Sequence, residues 1–109
     1  MAFDETLAAR IRDVLGGMDG LAEKRMFGGL AFLLNGNMCC GVHGDEVILR
    51  VDPESTEEAL RKPHVRVFDM TGRPMKGWLL VGSDAVASDE QLRSWIDMGV
   101  EFAASLPLK

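Results

Sequence analysis

Arg25-Met26-Phe27-Gly28-Gly29-Leu30-Ala31-Phe32-Leu33-Leu34-Asn35-Gly36-Asn37-Met38-Cys39-Cys40-Gly41 sets two apolar runs on either side of Asn35-Gly36, the strongest short-range hairpin signal a sequence carries. Two registers are open. A two-residue loop at Asn35-Gly36 sets Leu34 opposite Asn37 and places Leu30, Phe32 and Leu34 on one face with Asn37, Cys39 and His43. A three-residue loop, Asn35 to Asn37, sets Leu34 opposite Met38, Phe32 opposite Cys40 and Leu30 opposite Val42. The second register makes one face wholly apolar. A slip of one residue turns every side chain to the other face, so burial selects it. Gly28-Gly29, just before the run, predicts a bend, a bulge or a close approach of backbone.

Working outward, Gly44-Asp45 suits a type II′ loop and pairs Val42 with Val47 and Cys40 with Leu49. Val51 follows on the same face, and Ile48 and Arg50 point the other way. Both turns therefore predict that Leu30, Phe32, Leu34, Met38, Cys40, Val42, Val47, Leu49 and Val51 share the helix-covered face, with Cys39 off it. Upstream, Asp4 caps a helix whose Leu7, Ile11, Val14 and Leu15 form one apolar stripe, stopped by Gly16-Gly17. A short strand follows over 21–27. Downstream, Asp52-Pro53 opens a short acidic helix that Pro63 ends. Val65 to Phe68 and Met75 to Val81 read as strands around a Thr71–Pro74 turn. Ser88 with Gln91 forms a capping box. Leu92, Trp95, Ile96, Gly99, Ala103 and Leu106 are the buried stripe of the longest helix, ended by Pro107. The order helix, strands, helix, strands, helix implies an α+β fold: two layers, an antiparallel sheet of five to six strands with helices on one face.

The 109 residues make one domain, and 47% apolar with 27% charged residues supports a packed core. No apolar run approaches the ~20 residues of a spanning helix, and the N-terminus lacks a signal-peptide pattern. Two adjacent cysteines and no disulfide framework point to the cytoplasm. Net charge is −5, which argues against a general nucleic-acid binder. Residues 21–80 hold eight basic and eight acidic side chains; the terminal segments hold the other four and nine.

Chemistry is sparse. Cys39, Cys40 and His43 fall short of a structural zinc set, which needs four ligands and cysteines two to four residues apart. Packing explains the cysteines, with redox sensing by Cys39 as the rival. His43 and His64 read as solvated turn residues, and no serine or cysteine sits in a nucleophile motif. No catalytic, metal or cofactor residue is therefore assigned. Lys24 and Arg25 beside Gly28-Gly29 lack any phosphate-loop pattern. Arg73, Lys76 and Trp78, in a glycine-flanked turn leading into a strand, make a recognition surface or a buried turn with equal weight. The candidate surface is Lys24, Arg25, Gly28, Gly29, Arg73, Lys76 and Trp78.

Arg25-Met26-Phe27-Gly28-Gly29 with Phe32, Asn35-Gly36 and Met38, followed by Phe68-Asp69-Met70-Thr71-Gly72-Arg73-Pro74-Met75-Lys76-Gly77-Trp78, resembles two signatures of the TfoX/Sxy N-terminal domain family. The blocks occur in order, and the resemblance covers nearly the whole chain. It implies the same two-layer arrangement, in regulators of natural competence that act with a transcription activator. On that expectation the chain is a single domain, 1–109, without the C-terminal domain of full-length members. The leading expectation is a non-catalytic regulatory module that binds a protein partner, such as transcription machinery. Self-association stays open, and DNA binding by the isolated chain and membrane association are not expected. The alternatives are nucleic-acid contact through Lys24, Arg25, Arg73 and Lys76, and, third, an enzyme.

Overall fold

A computed structural model describes residues 4–26, 29–68 and 77–107. Helix α1, Glu5–Leu15, begins where the Asp4 carboxylate accepts the amides of Thr6 and Leu7, and ends at Gly16 with φ +61°. Its buried face is Leu7, Ala8, Ile11 and Leu15. Four strands then follow: β1 Leu21–Met26, β2 Gly29–Leu34, β3 Asn37–His43 and β4 Glu46–Arg50. Asp52 accepts the amide of Glu54 to open a 3-10 turn that runs into the short α2, Thr56–Leu60. Strands β5, Val65–Val67, and β6, Trp78–Val81, complete an antiparallel six-stranded sheet in the order β1-β2-β3-β4-β6-β5. Last comes α3, Asp89–Ala104, opened by the reciprocal Ser88–Gln91 capping box.

The expected α+β architecture is therefore present, and all three helices contribute to the core on one sheet face. Along α3 the stripe Leu92, Trp95, Ile96, Gly99 and Ala103 is buried; Leu106 lies beyond the helix end and is half-buried. The Gly44-Asp45 turn has the expected register, Val42 opposite Val47 and Cys40 opposite Leu49.

The central hairpin differs from expectation at its tip. Leu30 faces Val42 and Phe32 faces Cys40 as predicted, yet Leu34 faces Asn37. The loop is the two-residue Asn35-Gly36, with φ +53° and +84° as a type I′ turn requires. A bulge between Phe32 and Leu33 reconciles the two registers, because Cys39 is the extra residue between Met38 and Cys40. Two corrections follow. Cys39 is fully buried in the helix-side core beside Cys40, not off that face. Met38 turns to the other face. Leu30, Phe32, Leu34, Cys40, Val42, Val47, Leu49 and Val51 are in the helix-side core as expected.

The other face carries a smaller apolar cluster of Ala31, Met38, Ile48, Phe68 and Leu80, with Leu33 and Trp78 packed against it. Among the described residues, no helix is long and apolar enough to cross a membrane.

Candidate functional site

The candidate surface is spread across the sheet. Lys24 and Arg25 are exposed on β1, the edge strand. Trp78 starts β6, half-buried, four strand positions away, or roughly 19 Å at the usual ~4.8 Å spacing. Gly29 opens β2 where an added Cβ would collide with the Val42 carbonyl, so backbone approach accounts for it. Gly28, Arg73 and Lys76 lie outside the described residues, as does the Thr71–Pro74 turn. Lys24 and Trp78 are not brought together, and Trp78 packs on the second apolar cluster.

Arg50 is the residue that spacing missed at this end of the sheet. Paired with Trp78 across β4 and β6, its guanidinium lies 5.3 Å from the Trp78 ring centre and 5.4 Å from that of Phe102 on α3. A cation held between two rings ties the sheet to the helix. Four further cations are similarly engaged. Arg12 forms two 2.8 Å bonds to Glu23. Arg66 bonds Glu46 at 2.6 Å, and Arg10 donates to the Val86 carbonyl at 2.8 Å while reaching Asp89 at 3.4 Å. Lys62 Nζ lies 4.9 Å over the Trp95 ring.

Two clefts lie along the seam between α3 and the segment 51–64. One cleft of about 380 Å³ lies at the N-terminal end of α3, with Lys62, His64, Asp84, Glu90, Ser94 and Trp95 among its walls. A second, of about 310 Å³, lies toward the other end, between Val51, Asp52 and Ser55 on one side and Met98, Glu101, Phe102 and Ser105 on the other. His64 helps to form the first in a strained way. It has φ +65° directly after Pro63, in the left-handed region that glycine and asparagine normally occupy. Its carbonyl accepts the Gly82 amide at 2.7 Å, which holds the turn against the sheet end. His64 is exposed as expected; His43 is half-buried, its ring 6.4 Å from that of Phe68.

Beneath α3 the two cysteine sulfurs lie 3.8 Å apart. Cys39 Sγ also donates to the Phe32 carbonyl at 3.4 Å. The contact between the two thiols holds Cys39 below the usual thiol range, whereas that same contact and burial push Cys40 well up. The first proton of the pair therefore leaves Cys39. Among the described residues no three His, Cys, Asp or Glu side chains gather as a metal site.

These features define a two-layer α+β domain with open clefts beside its longest helix and with Arg10, Arg12, Arg50, Lys62 and Arg66 engaged internally. The family model of the TfoX N-terminal domain matches residues 13–103, and the chain belongs to that family. No curated protein matches the chain.

Proposed function

We propose that the chain is a non-catalytic regulatory module of the cytoplasm that works by docking on a protein partner along the α3 seam. The observation that carries this reading is the pair of open, mixed-polarity clefts at the two ends of that seam. Their walls combine apolar side chains (Trp95, Val51, Met98, Phe102) with charged ones (Lys62, Asp84, Glu90, Glu101), the mixture a non-obligate interface uses. The family resemblance supports a partner drawn from transcription machinery, as in competence regulators.

The test is capture from the native cell with tagged wild type, Ser94→Arg and Lys24→Glu/Arg25→Glu, each checked for folding by circular dichroism. Ser94 is exposed on α3 in the first cleft, so arginine there blocks the cleft without entering the core. The expected result is a defined partner lost in Ser94→Arg and retained in the β1 variant. The reverse pattern moves the interface to the sheet edge, and turnover of a small molecule by the purified chain removes the non-catalytic reading.

A further inference from the structure

We propose that Cys39 and Cys40 are a peroxide-responsive dithiol that closes reversibly to a disulfide between chain neighbours beneath α3. On a regular strand adjacent side chains point to opposite faces, and two neighbouring cysteines cannot meet. Here the bulge takes Cys39 out of the alternation, and both residues enter the same helix-side core. Their sulfurs are already at 3.8 Å, and Cys39 is placed by its bond to the Phe32 carbonyl. No other cysteine exists in the chain, so each thiol has one intramolecular partner. The pair is thus arranged as an attacking and a resolving thiol, with Cys39 the more readily ionised.

The chemistry balances with a peroxide as the only oxidant. The Cys39 thiolate attacks one peroxide oxygen; the O–O bond breaks, an S–O bond forms, and hydroxide leaves as sulfur loses two electrons. Cys40 then attacks the sulfenic sulfur; the S–S bond forms and the S–O bond breaks. The hydroxyl leaves as water with the Cys40 proton, and the earlier hydroxide takes up one proton from solvent. A dithiol and one peroxide become a disulfide and two waters. Neighbouring Cα atoms lie about 3.8 Å apart, short of the usual ~4.4–6.8 Å across a disulfide, so the closed form is strained and easily reduced. That suits a switch and not a staple. Both sulfurs are buried, so a small uncharged oxidant gains entry by local opening of the packed helix.

The test is intact mass of the reduced, full-length protein before and after hydrogen peroxide. The expected product is about 2 Da lighter, has no free thiol, runs as a monomer without reductant, and returns to the starting mass with dithiothreitol. In Cys40→Ser, dimedone should trap a sulfenic acid on Cys39. Cys39→Ser should consume peroxide about tenfold more slowly than Cys40→Ser. Added oxygens in the wild type without loss of hydrogen, a disulfide-linked dimer, or unchanged thiols in the folded protein would each overturn the proposal. So would equal rates in the two serine variants. The wild-type masses decide the matter even where a variant fails to fold.

Discussion

Gly99 owes its place in the middle of α3 to the carbonyl of Cys39. A Cβ there would collide with that oxygen, part of a strand backbone that cannot easily retreat, and would stand 2.9 Å from Leu49 Cδ1. Replacing it by alanine gains about 1 kcal/mol of helix propensity but overpacks the interface at about 1–3 kcal/mol. Gly99→Ala should therefore lower the urea midpoint, whereas an exposed control such as Gly17→Ala, with open space around it, should not. Glu23 illustrates the opposite limit. Arg12 donates two hydrogen bonds to it and holds its carboxyl below the usual range, partly offset by desolvation. A lowered native pKa contributes stability that is present above the unfolded value of about 4.3 and lost as pH falls through the native one. The Arg12 and Glu23 side chains are 48% and 36% exposed, so solvent screening keeps the pair to about 0.2–1 kcal/mol. Glu23→Gln should flatten that acid limb slightly and leave neutral stability within the same small margin.

At the scale of elements, Trp95 is the clearest anchor: 6% exposed on α3, with Lys62 over its ring. Trp95→Ala should cost about 3–5 kcal/mol in denaturant melts. The elements themselves were largely legible. Asp4, Asp52-Pro53, Gly44-Asp45 and Ser88 with Gln91 each state a local geometry that nothing in the tertiary structure opposes. The hairpin tip was not, for a physical reason. Asn35-Gly36 favours one register and apolar burial favours the other, and a bulge satisfies both at once. Its position depends on which side chains the helices must cover, which local spacing does not encode. The same limit hid the contact of Cys39 with Cys40 and the placement of Arg50 between rings from two elements. Family signatures located the domain, but the clefts arise from segments 51–64 and 83–105, outside the blocks that carried the resemblance.

For the whole molecule, charge decides what kind of surface is offered. Arg10, Arg12 and Arg66 are bonded to carboxylates, Arg50 and Lys62 lie over rings, and the net charge is −5. Four converging phosphate contacts would give a log-affinity against log-salt slope near −4, at about −0.9 per phosphate. With these five cations committed and an excess of negative charge to repel the backbone, the isolated chain should bind duplex DNA no tighter than roughly 10⁻⁴ M at physiological salt. Fluorescence anisotropy checks this. Micromolar binding that weakens steeply with salt and vanishes in Arg73→Ala/Lys76→Ala would favour nucleic-acid contact instead.

The strand order β1-β2-β3-β4-β6-β5 also bears on how the chain assembles in time. The first four strands are each beside their predecessor, so their pairing closes only short loops. Strand β6 reaches β4 across a longer stretch of chain, and, among the described residues, β5 joins the sheet through β6. Contacts of low sequence separation form early, so the transition state should hold the β2–β3–β4 meander while β5 and β6 remain loose. Val42→Ala should then mainly slow refolding, and Leu80→Ala should mainly accelerate unfolding. In stopped-flow chevrons the two substitutions would move opposite arms.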